Sequence, residues 1–472
     1  MNQVRRTDVS HKTSNRREFL KSTGTGLAAL VGSSLLAPRG WLRPDNLNGQ
    51  ETGNGVVIKT HEWFGDIDER LDFPAGWELN KVVMSGHNAP VLTDEEILTR
   101  IRFPIGTKPL RELAEGKKKV VITFDDMTRP TQTYRIAPVI VQELLQAGVP
   151  REGILFLGSF GCHMPLVQMD VEKKLGRDIV RNYQWFNHNP FEHLTEVGTT
   201  KFGNVIKVNH HFAGADLRIC ISGVKQHSWA GYGGGSKAIL PGVSWINSID
   251  YNHRAVIGVP NHINPTTGVG KIYKNEARDD MNEAARLAQL DFTVQVIYNG
   301  SRDVVAVYAG DVVEAHKAAC HYAVRHYQTN VMKNADVVIC NSYPQNQQAH
   351  NNWAIANNSL REGGTVVMVV QSPTGTYPLH YWDERRNFVG RPYWDAPTKR
   401  PGFPVKQAGQ AIYFSQYLQK RNMNEYDEKY VKFVFSWDEV IALLKQRHSE
   451  STKVAVYPYA PLQHEPIELD ET

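Results

Sequence analysis

The segment from His227 to Gly242 combines an imidazole, a run of glycines and a lysine, three groups that can take part in chemistry. His227 precedes Lys237 by ten residues, and His253 follows that lysine by sixteen residues. The three consecutive glycines at 233–235 leave backbone N–H groups accessible to a phosphate. A lysine beside them can serve as an electrostatic clamp or as a covalent nucleophile. The segment therefore indicates a phosphate cradle, a reactive amine and two imidazoles.

The same residues also fit a glycine-rich surface loop with a solvated lysine. The segment is a poor match to a P-loop, because Lys237 is followed by alanine and only two residues separate it from Gly234. The residues of this segment leave both interpretations open. The other polar clusters of the chain are therefore needed to decide between a functional site and a surface loop.

Two further polar clusters follow short apolar runs that read as strands. Residues 118–124 lead into an Asp-Asp-Met-Thr-Arg-Pro stretch at 125–130, and residues 153–158 lead into Gly-Cys-His-Met-Pro at 161–165. A third strand at 217–222 runs into the glycine-rich segment, and a helical pattern at 136–147 separates the first two strands. Because ligands bind at the carboxyl ends of parallel strands, we expect the three clusters to converge.

The rest of the chain repeats this alternation of strands and helices. We predict strands at 335–341, 364–370 and 454–457, and helices at 315–331 and 348–361. The fold class predicted is α/β, with two α/β domains of mostly parallel sheets and an active site in the cleft between them. The predicted boundaries are 55–325 for an N-terminal catalytic and cofactor-binding domain, 326–448 for a C-terminal domain, and 449–472 for a tail that returns to the first domain.

The N-terminus has the pattern of a targeting segment. Arg16 and Arg17 precede Glu-Phe-Leu-Lys, a pattern that resembles the twin-arginine export signal. The apolar run at about 24–37 is shorter than the roughly 20 residues of a membrane span, so we expect no stable span. We predict a signal at 1–40, recognition by the twin-arginine export machinery and a periplasmic location. The alternative is a basic N-terminal tail.

Composition narrows the class of protein further. The net charge is +4, and no basic run with interleaved aromatic residues occurs, so we expect no nucleic-acid partner. The four cysteines are widely spaced and lack a Cys-x-x-Cys pair, which argues against a disulfide framework or a zinc knuckle.

Taken together, the motifs resemble those of the nickel-pincer lactate racemase family. The similarity extends from about residue 60 to 447, and a weaker match lies at 275–285. The four motifs that carry it are Asp-Met-Thr-Arg-Pro at 126–130, Gly-Cys-His-Met-Pro at 161–165, the glycine-rich segment at 227–242, and Asn-His at 252–253.

The resemblance implies a nickel-pincer nucleotide, a Ni(II) pyridinium-3-thioamide-5-thiocarboxylic acid mononucleotide. It implies that Lys237 is joined to this cofactor through a thioamide and that His253 is the protein ligand to nickel. Sulfur donors, one imidazole and a square-planar arrangement suit Ni(II). By the same resemblance, Asp126 and Thr128 would orient the ribose or phosphate, and Gly234 and Gly235 would lie against the nucleotide.

The implied reaction inverts C2 of a 2-hydroxy acid through reversible hydride transfer to the pyridinium. Such a reaction needs a proton acceptor for each face of the planar 2-keto acid. The motifs assign His163 and His227 as this pair, because an imidazole acts as acid or base near neutral pH. Arg129 would bind the substrate carboxylate.

The substrate region departs from the family pattern. Lactate racemases carry a Tyr-Gln-x-x-Lys segment whose lysine helps bind the substrate carboxylate, and here Ala354 is the nearest counterpart of that lysine. His350, Asn351 and Trp353 offer hydrogen bonds and an aromatic wall instead. We therefore expect a substrate larger or more hydroxylated than lactate, such as an aldonic acid, and either racemisation or epimerisation.

Two alternatives from other classes remain open on the residues. One is an exported two-domain solute-binding protein that holds a sugar acid without turnover. The other is a histidine-based metal hydrolase that uses the clusters at 188–193 or 209–211, although no His-Glu-x-x-His motif occurs.

Overall fold

A computed structural model describes residues 54–259, 262–376, 403–420, 423 and 426–470. The predicted export signal at 1–40 lies outside the described residues, so it stays a prediction. Within the described residues, no helix is long and apolar enough to cross a lipid bilayer.

The chain forms twenty strands and eleven α-helices in the described residues. The strands are β1 Gly55–Thr60, β2 Ile67–Asp72, β3 Glu78–Lys81, β4 Val120–Phe124, β5 Ile154–Gly158, β6 Gln184–Asn187, β7 Leu194–Thr199, β8 Val205–Asn209, β9 Leu217–Gly223, β10 Gln226–His227, β11 Gly231–Tyr232, β12 Gly258–Val259, β13 His262–Ile263, β14 Phe292–Tyr298, β15 Val304–Gly310, β16 Ala335–Asn341, β17 Leu360–Val369, β18 Gln410–Phe414, β19 Val431–Val434 and β20 Lys453–Tyr457.

The helices are α1 Asp94–Arg102, α2 Leu110–Ala114, α3 Thr133–Gln146, α4 Gln168–Leu175, α5 Arg177–Asn182, α6 His210–Ala213, α7 Ile246–Tyr251, α8 Glu276–Leu287, α9 Glu314–His326, α10 Ala356–Ser359 and α11 Trp437–Lys445. Short 3-10 turns lie at Arg151–Gly153, Gly235–Ala238 and Asn346–Asn351, and a π-helical turn lies at Asn252–Ile257.

The first six-stranded sheet has the order β15-β14-β9-β4-β5-β6. All its pairings are parallel except that of β14 with β15. The strand β4 is buried along its whole length, as expected when helices cover both faces of a parallel sheet. Val120, Ile122 and Phe124 pack with Ile140 on one face, and Val121 packs with Met281 on the other.

The second six-stranded sheet has the order β19-β18-β17-β16-β20-β3, and all of its pairings are parallel. Its edge strand β3 comes from the start of the described chain and pairs with β20 from near the end. After β20 the chain turns toward the first sheet, where Asp470 accepts hydrogen bonds from the backbone of Ile272 and Tyr273. The predicted domain boundaries stay predictions.

The α/β fold class with mostly parallel sheets is confirmed. The predicted helix at 348–361 is wrong, because the chain forms a 3-10 turn at Asn346–Asn351, the short α10, and then β17. The four asparagines at 351–352 and 357–358 explain the difference, since asparagine side chains compete for backbone hydrogen bonds and disfavour a continuous helix.

Candidate active site

Three loops meet at the carboxyl edge of the first sheet because they follow adjacent parallel strands. The loops after β4, β5 and β9 carry Asp126, His163 and His227. Asp125 fixes the first of these loops, because its carboxylate accepts hydrogen bonds from Lys174 at 2.6 Å, Thr131 at 2.6 Å and the backbone N–H of Gly223 at 3.2 Å. The expected convergence of the loops after β4 and β5 is visible in a direct contact between Asp126 and His163.

Asp126 positions His163. Its Oδ2 lies 2.5 Å from His163 Nδ1, and its Oδ1 accepts hydrogen bonds from the Thr128 N–H at 2.9 Å and the Thr128 hydroxyl at 2.5 Å. Burial raises the pKa of Asp126, but His163 and Arg129 outweigh burial and hold that pKa below its usual range. The ionised carboxylate keeps the proton of a neutral His163 on Nδ1, so Nε2 carries the lone pair.

These contacts give Asp126 and Thr128 a role within the chain. Both carboxylate oxygens of Asp126 are engaged within the protein, and the Thr128 hydroxyl donates to Asp126 while accepting from Arg129 at 2.7 Å. The two residues therefore orient His163 and Arg129, and their predicted contact with a ribose or phosphate stays a prediction.

Arg129 joins the first sheet to a loop of the second. Its Nη1 donates to Thr128 and, at 2.8 Å, to Oε1 of Gln348. Gln345 donates to the Thr128 carbonyl at 2.9 Å and to Gln348 at 2.8 Å. Within the described residues, no hydrogen bond engages the other terminal nitrogen of Arg129, which leaves an N–H pair for a carboxylate.

His227 lies at the end of β10, in a short hairpin with β11. Its Nδ1 accepts hydrogen bonds from the backbone N–H groups of Trp229 and Ala230, both at 3.2 Å. Burial, followed by the positive charges of Lys237 and Arg129, lowers the pKa of His227 well below its usual value. Because a backbone N–H only donates, Nδ1 is an acceptor and the neutral ring carries its proton on Nε2.

Lys237 lies in the 3-10 turn Gly235–Ala238 and is partly buried. Burial and the neighbouring guanidinium groups of Arg278 and Arg129 lower the pKa of Lys237 well below its usual value. Within the described part of the chain, its ammonium group makes no hydrogen bond or ion pair. A buried amine with a lowered pKa is nucleophilic at neutral pH.

The glycines beside Lys237 are required for packing. Gly234 and Gly235 have φ angles of +78° and +59°, and a Cβ on them would lie 2.4 Å from Gln295 Oε1 and 2.7 Å from His316 Cγ. The N–H of Gly235 donates to Gln295 at 2.8 Å, and the N–H of Gly233 donates to the Lys225 carbonyl at 2.6 Å. The predicted phosphate cradle is therefore wrong for these two N–H groups, because partners within the chain already use them.

Arg278 binds the backbone of the same glycine-rich segment. This role was not predicted from the sequence. Its side chain is 1% exposed and donates to the carbonyl oxygens of Ala230, Tyr232 and Gly234. The sequence does contain a pattern that predicts burial of Arg278. This arginine lies on the apolar face of α8, three residues before the buried Met281. A charged residue on a buried helical face must find partners, and here the glycine-rich segment supplies them.

His253 lies in the π-helical turn that follows α7. Its Nδ1 contacts the Ile249 carbonyl at 2.9 Å, and its ring meets the Trp229 ring edge-on at 5.5 Å. Burial and the nearby Lys237 lower the pKa of His253 to about 4. With Nδ1 donating to the carbonyl, Nε2 carries the lone pair that a metal ligand needs.

Three residues of the second sheet, His350, Asn351 and Trp353, are predicted to contact the substrate. Trp353 is 1% exposed, packs edge-on against Phe403 at 4.8 Å and donates from its indole nitrogen to Tyr426 at 2.9 Å. It belongs to the core of the second sheet, so the predicted substrate contact is wrong for this residue. The side chains of His350 and Asn351 lie outside what the structure describes, and their roles stay predictions.

The histidine clusters considered for a hydrolase have structural partners. His188 is buried, and its Nε2 lies 2.9 Å from the Ser244 carbonyl, while His211 stacks on Phe186 at 4.9 Å. In the part of the chain that the structure describes, no group of three or more His, Cys, Asp or Glu side chains is arranged to hold a metal ion.

Comparison with known proteins places these residues in a family. A family model described as the lactate racemase N-terminal domain matches residues 64–264, the range that contains every motif residue from Asp126 to His253. The chain is 31% identical over 293 residues to the lactate racemase of Lactiplantibacillus plantarum, covering 60% of this chain and 68% of that protein. It is 30% identical over 292 residues to the lactate racemase of Thermoanaerobacterium thermosaccharolyticum, covering 60% and 67% of the two chains.

Solved structures show the same fold. The lactate racemase apoprotein from Thermoanaerobacterium thermosaccharolyticum superposes with a TM-score of 0.65 at 21% identity and covers 87% of this chain and 99% of its own. A protein from Thermotoga maritima gives a TM-score of 0.57 at 19% identity and covers 79% and 98%. The sequence relationship to two racemases and the shared fold together establish that this chain belongs to the lactate racemase family and is an isomerase.

Proposed function

We propose that the protein inverts C2 of a 2-hydroxy acid, as a racemase or an epimerase, with a nickel-pincer nucleotide attached to Lys237. The observation that carries the proposal is the electrostatic and hydrogen-bonding contact among the motif residues. Besides burial, the charge of Lys237 lowers the pKa of both His227 and His253, and the charge of Arg129 lowers the pKa of His227 and Lys237. His163, which contacts Asp126, acts on His253 as well, so residues of four separate motifs lie close to one another.

The residues fit the implied cofactor at its two attachment points. Lys237 offers an amine whose pKa is lowered, as a covalent attachment requires, and His253 offers an Nε2 lone pair of the kind that binds Ni(II). When bound, the cofactor supplies a reversible acceptor for the C2 hydride. The glycine-rich segment does not supply the full phosphate cradle, because two of its N–H groups are already engaged.

His163 is suited to take the proton of the substrate hydroxyl. Asp126 orients the ring and stabilises the positive charge that develops when Nε2 accepts a proton. Arg129 is suited to hold the carboxylate of the same substrate, since Thr128 and Gln348 fix one side of its guanidinium.

His227 is not equivalent to His163. With Nδ1 bound to two backbone N–H groups, the neutral ring offers Nε2–H as a hydrogen-bond donor. To accept a proton at Nε2, the ring must first move its other proton to Nδ1 and release Trp229 and Ala230. His227 can therefore act as the second proton acceptor only after a local rearrangement of the hairpin at Gln226–Tyr232.

The substrate is larger or more hydroxylated than lactate in this proposal. Ala354 stands where lactate racemases have a substrate-binding lysine, and the loop after β16 presents the amides of Gln345 and Gln348 toward Arg129. Membership of a racemase family argues against the alternatives of a solute-binding protein and a metal hydrolase.

The test uses an enantiopure 2-hydroxy acid that carries deuterium at C2, and protein produced with the cofactor-synthesis machinery. We expect stereoinversion with deuterium retained at C2, because a transferred hydride returns to the same carbon. Exchange of the deuterium with solvent would indicate proton abstraction at C2 and would refute the proposed chemistry. Lys237→Ala should abolish inversion, whereas Lys445→Ala, an exposed lysine on α11, should not change it.

A further inference from the structure

We propose that Glu62, Lys225 and Tyr298 form a polar subsite beside Arg129 that binds the hydroxyl groups of the substrate beyond C2. The inference rests on the proposed function and names the substrate class, a 2-hydroxy acid with a polyhydroxylated chain. None of the three residues belongs to the motifs that carry the family resemblance.

Glu62 is a buried acid with unmet hydrogen-bonding capacity. It is 2% exposed, and within the described residues neither carboxyl oxygen makes a hydrogen bond. Burial raises the pKa of this carboxyl, and the backbone N–H groups of Asn346 and Gln347, which face it, offset only part of that rise; neither forms a hydrogen bond of normal geometry with it. A buried polar group without partners is costly, so its presence calls for a ligand or ordered water.

Tyr298, near Glu62, carries a second buried polar group that lacks a hydrogen-bond partner. Its hydroxyl is buried and makes no hydrogen bond to any described residue. A Cβ placed on Gly223 would lie 3.4 Å from this hydroxyl, which puts the phenol beside the chain that continues to Lys225. The hydroxyl also lies near enough to Glu62 and Arg129 to interact with their charges.

A continuous polar path links this subsite to the carboxylate-binding residue. Arg129 donates to Gln348 at 2.8 Å, Gln345 donates to Gln348 at 2.8 Å, and Lys225 donates to Gln345. Glu62 follows, because it lies close enough to Lys225 for its ionised form to oppose the lowering of the pKa of that lysine. A substrate whose carboxylate binds Arg129 would extend along these amides toward Lys225 and Glu62.

The segment that presents Glu62 is held in an unusual backbone conformation. Its neighbours His61, Trp63 and Asp66 have φ angles of +58°, +66° and +48°, which side-chain-bearing residues rarely adopt. Arg302 fixes the segment through two hydrogen bonds to Asp66, at 2.6 Å and 2.9 Å. Strain that the surrounding structure must hold in place is typical of functional sites.

The charge state of the subsite suits hydroxyl groups. Burial raises the pKa of Glu62 to about 8, so the acid is protonated at neutral pH and can both donate and accept. Burial and Arg129 lower the pKa of Lys225 to about 7, with Glu62 acting in the opposite sense. Alcohol groups also donate and accept, which favours a polyol chain over a second carboxylate.

The test measures affinity by titration calorimetry on the full chain, with gluconate, lactate and malate as probes. Tyr298→Phe removes only the unmatched hydroxyl, so it should not lower the melting temperature. It should weaken gluconate binding by about 3- to 10-fold, the loss of one hydrogen bond, and leave lactate binding unchanged. Glu62→Met should have the same selectivity with a larger effect on gluconate.

Tyr308→Phe, on the neighbouring strand β15, is the matched control and should change neither affinity. Equal effects of Tyr298→Phe on gluconate and lactate, or no effect on either, would overturn the subsite. Tighter binding of malate than of gluconate would overturn the choice of a polyol. Stereoinversion of lactate with no binding of gluconate would refute the subsite alone, whereas binding of gluconate without any stereoinversion would refute only the proposed function.

Discussion

Replacing Asp126 with asparagine tests the assignment of His163 as the proton acceptor. Asp126 is 3% exposed and its Oδ2 lies 2.5 Å from His163 Nδ1, so the carboxylate is the group that holds the ring proton on Nδ1. An asparagine amide can donate to Nδ1 instead, which would move the proton of a neutral ring to Nε2 and remove the lone pair from the substrate side.

The expected loss of activity follows from the size of general base catalysis. Such a base contributes about 10²- to 10⁴-fold to the rate, so Asp126→Asn should lower kcat by about that factor. The variant should also lose about 1.5–3 kcal/mol of unfolding free energy at neutral pH, the value of hydrogen bonds to a charged group. Because the folded-state pKa of Asp126 is depressed, this stabilisation is present above the unfolded-state pKa and is lost as the pH falls through the folded-state pKa.

The assay combines kinetics with a direct measurement of the tautomer. Turnover is normalised to the cofactor content from intact mass, and ¹⁵N NMR of labelled histidine reports which ring nitrogen of His163 is protonated. Asp216→Asn is the control, since this exposed carboxylate accepts two backbone N–H bonds at the start of β4, away from the site. Retention of more than a tenth of kcat by Asp126→Asn, or an unchanged tautomer, would rule out His163 as a proton acceptor oriented by Asp126.

Three further predictions concern other parts of the chain. The affinity for a substrate anion should fall as the pH rises from 6 to 8, because the pKa of Lys225 is about 7, and Lys225→Arg should flatten the profile measured by calorimetry. Unchanged pH dependence in that variant would exclude Lys225. Arg278→Met should lower the melting temperature and the yield of modified Lys237, measured by calorimetry and mass spectrometry, since the buried guanidinium holds three carbonyls of the glycine-rich segment. Full modification with a native melting temperature would count against that role. Replacing Arg16 and Arg17 with lysine should retain the protein in the cytoplasm in a fractionation experiment, and continued export would disprove the predicted signal.

The sequence pattern was sufficient for the strands that carry the site. Residues 335–341 form β16 as predicted, and the predicted strands at 118–124, 153–158 and 217–222 differ from β4, β5 and β9 by two residues or fewer at each end. These strands are short, apolar and β-branched, so local pattern and tertiary burial agree. The helix predicted at 348–361 failed because local propensity there is weak and the packing of the second sheet decides the conformation.

The side-chain partners could not be read from the sequence because they join distant segments. Gln348 lies 219 positions from Arg129 and supplies its acceptor, and Gln295 lies 60 positions from the glycine whose N–H it binds. Periodicity predicts which face of a strand is buried, but it carries no information on which loop of another sheet meets a given side chain. The orienting role of Asp126 could not be predicted for this reason, since only the contact with His163 shows where its carboxylate is used.

Trp353 was predicted to contact the substrate but lies in the core. An aromatic residue near a substrate motif suggested a wall for the ligand, yet its indole is 1% exposed and bonded to Tyr426. Aromatic residues are more often core than ligand contacts, and the sequence around 353 holds no signal that separates the two cases.

In the proposed function, the amine of Lys237 carries a nickel-containing nucleotide. Intact-mass and metal analysis of protein made with the cofactor-synthesis machinery measures this attachment. We expect an added mass that maps to Lys237, with one nickel per chain that is lost in His253→Ala while the organic adduct remains. An unmodified Lys237 under conditions in which a lactate racemase is fully loaded would rule out the attachment.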